Sequence, residues 1–163
     1  MRRREFIALA GGLPFWGGST LWRRLAPFFW RPQLDEGDAR TITAVIDLMF
    51  PGDGLPGASE LGIHNRIVAM ADLHAIMAYG VIWLDRQAAS LGASGFLGLD
   101  EAGRTAALAA AFASEDDDAR QFALSLRTYG GLNYYSEPAI KAAFAYTGPP
   151  QPGGFPDFRD SPR

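Results

Sequence analysis

The two histidines, His64 and His74, are the side chains of this sequence best suited to bind a metal ion or accept a proton. They lie ten residues apart in a stretch that reads as helical, so a straight helix would separate them by about 15 Å along its axis. The absence of cysteine excludes a thiolate metal site, a covalently attached haem c and a cysteine nucleophile. We expect no metal site, although the fold could place Ser136 beside either histidine as a nucleophile and its base.

Two other patterns that could support chemistry have simpler structural explanations. The acidic run 115–118 lacks the spaced oxygen ligands and the central glycine of a calcium loop, and it suits the first turn of a helix. No Gly-x-Gly-x-x-Gly follows a predicted strand and no Walker loop occurs, so nothing indicates a nucleotide. We predict a noncatalytic chain that holds no cofactor and no metal.

Helical periodicity and capping residues define the elements that would position these side chains. No convincing strand pattern occurs, so we predict an all-α fold of about five helices in one compact domain, residues 32–163. Gly80 could kink or interrupt the second helix, and Gly130 with Gly131 should end the fourth. The predicted helices are 38–50, 60–91, 100–112, 114–129 and 137–146. Their assigned N-caps are Asp38, Ser59, Asp100, Ser114 and Ser136.

Residues 1–31 have the features of an export signal. Arg3 and Arg4, one spacer and Phe6 resemble the twin-arginine pattern, and a moderately apolar run without charge follows to Trp22. We predict a twin-arginine-exported periplasmic protein whose N-terminal helix is a signal. Because no clean cleavage site precedes Arg23, the segment could be retained as a membrane anchor. The alternative is an ordinary basic, amphipathic first helix.

The charge is distributed unevenly along the chain. Residues 1–31 carry a net charge of +5 and residues 32–163 carry −8. An acidic body disfavours nucleic-acid binding, which needs clustered positive charge on the folded surface.

Two aromatic segments are candidates for docking a partner. Tyr129, Tyr134 and Tyr135 surround a glycine pair, and tyrosines are common at protein interfaces, although these rings could equally form core packing beneath a loop. Phe155 and Phe158 lie in a proline-rich stretch, 148–158, that cannot be helical. We predict an extended docking arm there, and the alternative is that both rings fold back on the helices of this chain.

Several of these segments together resemble the gluconate 2-dehydrogenase subunit 3 family over about residues 38–160. They are FPGDGLPGASELGI at 50–63, FLGLDE at 96–101, GLNYYSEP at 131–138 and YTGPPQPGGFPDF at 146–158.

The resemblance implies a small subunit that carries no cofactor within a heterotrimer. A large FAD-containing flavoprotein of the glucose-methanol-choline type would oxidise a sugar, sugar acid or polyol, and a cytochrome c subunit would pass the electrons on through haem c. The small subunit would assist the folding and export of the signal-less flavoprotein, with Arg3 and Arg4 read by the twin-arginine translocase. The segments 51–62, 129–138 and 148–158 would be its docking candidates.

Two other functions stay open on the sequence alone. The chain could be a free-standing exported helical protein that binds another partner or a small ligand. It could also be an enzyme whose site has no recognisable motif.

Overall fold

The computed structural model describes residues 33–146 and Gly148, and the described residues from Leu34 onward belong to one compact unit. These residues form helices and loops with no strand, which confirms the predicted all-α fold. The predicted signal helix and the proline-rich tail lie outside the described residues. Within the described part, no helix is both long and apolar enough to cross a membrane.

The six α-helices are α1 Glu36–Met49, α2 Ile63–Val68, α3 His74–Ser90, α4 Glu101–Phe112, α5 Asp117–Ser136 and α6 Pro138–Ala143, with 3-10 turns at Ala71–Leu73 and Phe96–Gly98.

Helix α5 is the centre of the bundle because it packs against all five other helices. Its most extensive contact is with α3, where Gly80 faces the fully buried ring of Phe122. Gly80 lies inside the continuous helix α3, so it does not interrupt the helix, and it makes room for this ring. The other fully buried large side chains are Ile42, Val45, Ile46, Ile63, Ile67, Met77, Leu84, Phe96, Leu126 and Ile140.

The predicted helix 60–91 is two helices separated by a 3-10 turn. Ser59 lies in the turn before α2, which begins after Gly62 in a left-handed conformation with φ of 68°. Met70 is extended and therefore interrupts the helix. On both sides of the break, α2 and α3 bury apolar side chains in the same core.

Three other predicted N-caps differ from the observed ones. Asp35 caps α1 in a reciprocal capping box, with Asp38 as the acidic third residue whose carboxylate accepts from the Asp35 amide. Asp116 caps α5 through the amides of residues 118 and 119, and the Ser114 hydroxyl accepts from the Asp116 amide. Ser136 is the last residue of α5. Asp100 caps α4 as predicted.

Helix α5 does not end at Gly130 and Gly131 but continues to Ser136. The physical reason is a tertiary contact, because Phe50 lies over Gly130 and a Cβ there would be 2.8 Å from Phe50 Cε2. The chain breaks instead at the extended Glu137, since the residue before a proline disfavours helical geometry.

Candidate functional site

A buried pair of rings supports the tyrosine cluster. The Phe50 and Tyr134 rings stack with centroids 5.2 Å apart, and the Tyr134 hydroxyl donates to the Pro56 carbonyl at 3.1 Å. Tyr134 is 5% exposed, and this burial raises the pKa of its phenol. Tyr134, a predicted docking candidate, is therefore a core residue whose ring is not available to a partner.

Tyr135 stands at the surface on top of this pair. Its ring meets the Tyr134 ring edge-on, with centroids 5.3 Å apart, and it lies 6.2 Å from the rings of both Phe50 and Phe144. These edge-on and tilted arrangements are favourable aromatic geometries. The side chain is consequently exposed and yet held in place from below.

Most of the exposed large apolar residues of the described chain lie near Tyr135. Among the seven large apolar residues that are substantially exposed, five lie between positions 129 and 146. We call the aromatic corner the four of these that are more than half exposed. They are Leu132, Tyr135, Phe144 and Tyr146. Tyr129 is less exposed, at 36%, and lies one to two turns earlier on α5. Monomeric proteins seldom leave so many large apolar groups together in water, so this corner is the candidate interaction surface.

Two grooves adjoin Tyr135. The first, the α6 groove, encloses about 520 Å³ and is lined by Gly131, Leu132, Tyr135, Ser136, Lys141, Phe144 and Tyr146. The second, the α1 groove, encloses about 450 Å³ and is lined by Met49, Phe50, Phe112, Arg127, Gly131 and Tyr135. Both grooves are mainly apolar, and each has one cationic side chain. Each groove therefore suits a partner segment that carries an apolar side chain next to an acidic one.

Local hydrogen bonds anchor the loop 51–62 to the end of α1. The Ser59 amide donates to Asp47 Oδ1 at 2.9 Å, and the Ala58 amide donates to the Phe50 carbonyl at 3.1 Å. Ala58 is fully buried, whereas positions 51–54 are exposed. The loop therefore has an anchored inner part and an accessible outer part.

An ion pair holds the junction of α5 and α6. Arg66 on α2 pairs with Glu137, the residue between the two helices. The Glu137 side chain is 17% exposed, so the pair links α2 to the junction of α5 and α6. Just after α6, the Phe144 ring lies 6.2 Å from the Tyr135 ring.

The described residues contain no group of three or more His, Cys, Asp or Glu side chains that could hold a metal ion. His74 Nε2 lies 2.7 Å from the Val68 carbonyl, where it spans the break between α2 and α3. The Ser136 hydroxyl donates to the Asn133 carbonyl and so is engaged within its own helix. The structure thus does not bring the predicted nucleophile and a histidine together by a hydrogen bond.

The acidic run 115–118 lies at the start of α5, as the sequence indicated, but its helical part is shorter than predicted: Asp116 is the N-cap, Asp117 and Asp118 lie in the first turn, and Glu115 precedes the helix. The Tyr79 phenol donates to Asp116 Oδ2 at 2.5 Å, and this bond, together with burial, raises the pKa of Tyr79 to about 12. The carboxylate of Asp116 also accepts from helix amides. Its role is to cap α5 and tie it to α3.

Sequence reasoning missed three members of the aromatic corner. Leu132 was not singled out, and the positions of Phe144 and Tyr146 were assigned to the last turns of a longer helix. The available signal was the spacing of Leu132 and Tyr135, which puts two apolar groups on one side of α5. The other predicted site residues, Arg3, Arg4, Phe6, Phe155 and Phe158, lie outside the described residues.

Comparison with known proteins gives one family match. The model of the family described as gluconate 2-dehydrogenase subunit 3 matches residues 36–153, which include every described helix. No curated protein and no solved structure matches.

Proposed function

Because the chain belongs to the gluconate 2-dehydrogenase subunit 3 family, we propose that it is the noncatalytic small subunit of a periplasmic flavin-dependent dehydrogenase. The dehydrogenase acts on a sugar, sugar acid or polyol. Its large subunit binds FAD, and a cytochrome c subunit carries haem c. The observation that carries this proposal is the family match across the whole described helical domain.

The second part of the proposal is that this chain escorts the flavoprotein through twin-arginine export. Arg3 and Arg4 ahead of Phe6 supply the signal, and the translocase accepts proteins that have already folded. A small subunit bound to the folded flavoprotein would provide the signal for both. After export the complex resides in the periplasm, and a retained leader would hold it at the membrane.

The aromatic corner supports the docking part of this function. Tyr135 and Phe144 are exposed and supported by neighbouring rings, so little side-chain freedom is lost when a partner covers them. Aromatic anchors of this kind dominate the binding energy of many interfaces. In the adjoining α1 groove, Arg127 contributes a cation. Its guanidinium carbon lies 5.5 Å from the centroid of the Phe112 ring.

The docking experiment is co-purification of the flavoprotein with variants of the aromatic corner. Tyr135→Ala and Phe144→Ala together should weaken the complex by roughly 2–4 kcal/mol, the range of interface hot spots, with unchanged circular dichroism. The matched control is Leu91→Ala, because Leu91 is 62% exposed and lines neither groove. Binding that survives the corner double variant would show that the flavoprotein docks elsewhere.

The export experiment replaces Arg3 and Arg4 by lysine and fractionates the cells. We expect both this chain and the flavoprotein to stay in the cytoplasm. Retention of this chain alone, with the flavoprotein still exported, would refute the escort role but not the subunit role. If the native chain purifies without any redox partner, the alternative of a free-standing binding protein is favoured.

A further inference from the structure

The α1 groove belongs to the same surface as the aromatic corner. Three helices contribute its apolar walls, which are Met49 and Phe50 at the end of α1, Phe112 at the end of α4, and Gly131 and Tyr135 on α5. Its volume of about 450 Å³ lies toward the lower end of the range for ligand-sized pockets, so it has room for one or two side chains. Because Tyr135 lines both this groove and the α6 groove, a partner that covers Tyr135 also reaches the α1 groove.

Gly131 leaves a gap in the wall that α5 presents to this groove. Residues 127, 131 and 135 follow one another at four-residue spacing, so they lie along one side of the helix over about 12 Å. A Cβ built at Gly131 would approach the Phe50 ring to 3.7 Å and the Tyr135 ring to 4.0 Å, which are ordinary contact distances. Packing within the chain therefore does not require a glycine here, as it does at Gly130, and the gap is space that a group from outside can fill.

Arg127 supplies the positive charge of the groove and has no acidic partner among the described residues. Arg66 and Arg120 are ion-paired with carboxylates of this chain, whereas Arg127 is exposed and its guanidinium carbon lies 5.5 Å from the centroid of the Phe112 ring. A cation–π interaction of this kind orients the guanidinium. Its N–H groups then stay available for a carboxylate, which an arginine can bind through two parallel hydrogen bonds.

The charges of the chain indicate which molecule fills the groove. Residues 32–163 carry a net charge of −8, so two copies of this chain would repel one another, and a different protein is the better occupant. Burial is the main reason that the pKa of Tyr134 is raised, and the negative charges of Asp53 and Glu60 add to it. These two acids repel a carboxylate that approaches from the side of the loop, which leaves Arg127 as its favourable position in this groove.

We propose that the α1 groove binds an apolar side chain of the flavoprotein that stands next to an acidic residue. The apolar side chain fills the gap at Gly131 against the Phe50 and Tyr135 rings, and the neighbouring carboxylate pairs with Arg127. This inference rests on the proposed function and specifies the chemistry of the partner segment. Tyr135 and Phe144 remain anchors of the same interface, and the α1 groove fixes the position of the flavoprotein segment beside them.

The charge test measures the affinity of the flavoprotein for full-length variants of this chain. Arg127→Glu should weaken the complex at least about tenfold, because it places a carboxylate where the acid of the partner binds. Arg127→Lys keeps the charge but loses the planar guanidinium over Phe112, so its effect should be smaller. The matched control is Arg40→Glu, which makes the same change of charge at an exposed arginine of α1 that lines a different groove. It should leave the affinity nearly unchanged.

The steric test fills the gap from within. Gly131→Leu should weaken the complex at least about tenfold by occupying the space of an interface anchor, and Gly131→Ala should show a weaker form of the same loss. The matched control is Thr128→Leu, which adds the same side chain at an exposed position of α5 outside both grooves. Urea denaturation of each variant separates a loss of binding from a loss of folding.

Three contrary results are distinguishable when the native chain and the Tyr135→Ala, Phe144→Ala double variant accompany each series. Unchanged affinity for either Arg127→Glu or a folded Gly131 variant, with the double variant still weakened, would overturn the inference and leave the proposed function intact. Failure of the native chain to bind the flavoprotein would refute the proposed function and this inference with it. If the changes at Arg127 and Gly131 abolish self-association of this chain and spare flavoprotein binding, the occupant is a second copy, and the inference is wrong.

Discussion

Gly80 provides a sharp test of the contact between α3 and α5. It is a buried glycine within α3, where alanine would normally be the better helix former. A Cβ built at this position would lie 2.0 Å from Phe122 Cγ, with two more ring carbons within 2.4 Å. The Phe122 ring is fully buried, so it cannot swing into solvent to avoid the new methyl group. We predict that Gly80→Ala destabilises the protein.

The size of the effect follows from two opposing contributions. Replacing glycine by alanine within a helix stabilises it by about 1 kcal/mol. Overpacking a filled core costs about 1–3 kcal/mol and occasionally more, and 2.0 Å is far inside the ordinary van der Waals separation of carbon atoms. The clash should therefore exceed the helix gain. We expect the free energy of unfolding to fall by about 2 kcal/mol, using the upper part of that range.

The assay is urea denaturation followed by circular dichroism, with Gly131→Ala as the matched control. Gly131 also lies within a helix, but a Cβ there would approach no heavy atom closer than 3.7 Å. This variant should be neutral or stabilised by up to about 1 kcal/mol. Combining Gly80→Ala with Phe122→Leu should cost less than the sum of the single changes, since the two groups are in direct contact. If Gly80→Ala proves as stable as the native chain, the inferred close packing of Phe122 on Gly80 is wrong.

Three other changes test separate contacts. Tyr79→Phe should cost about 1 kcal/mol at pH 7, because it removes the hydrogen bond to Asp116 from a site that solvent partly screens. In the native chain this stabilisation should be complete below pH 10 and decline as the pH rises toward about 12, since the folded phenol holds its proton more tightly than the unfolded one. Tyr134→Phe should cost about 1 kcal/mol by leaving the Pro56 carbonyl without its donor. Asp100→Ala should cost about 1 kcal/mol by removing the N-cap of α4.

Each of these changes has its own measurement and contrary result. Urea titrations at pH 9 and pH 11.5 measure how far the free energy of unfolding falls between these two pH values. This fall should be smaller for Tyr79→Phe than for the native chain, and an equal fall would contradict the role of the Tyr79 phenol. Tyr134→Phe should leave flavoprotein binding intact because its ring contacts remain, so a loss of binding without a loss of stability would contradict its placement in the core. For α4, a change at the neighbouring exposed Glu101 is the control, and it should matter less than the change at Asp100.

The sequence predicted the helical class because periodicity and capping are local properties. Asp100 was assigned correctly as a cap, since one residue at that helix start has a suitable side chain. The start of α1 was misplaced because Asp35 and Asp38 lie three residues apart and both take part in one capping box. Local patterns indicate such a box but do not show which member stands outside the helix.

The break between α2 and α3 and the length of α5 depended on distant contacts. Met70 interrupts a stretch of good helix formers so that two helices can reach one core, and no local residue signals that need. Locally, Gly130 looks like a residue that ends a helix. Its actual role is to leave space for the ring of Phe50, which lies eighty positions earlier in the chain. Because glycine ends a helix in one context and permits close approach in another, the sequence alone favoured the wrong alternative.

The same contact makes two separately predicted docking segments one physical unit. Phe50 ends α1 and begins the loop 51–62, and its ring touches Gly130 and stacks on Tyr134. Tyr134 in turn bonds to Pro56 within that loop and supports Tyr135 from below. The exposed Tyr135 ring of the aromatic corner is thus positioned by the loop 51–62 and by α5 together. A side chain larger than glycine at position 130 would displace Phe50, and through it both the loop and Tyr135, so the glycine serves the interaction surface although it lies beneath it.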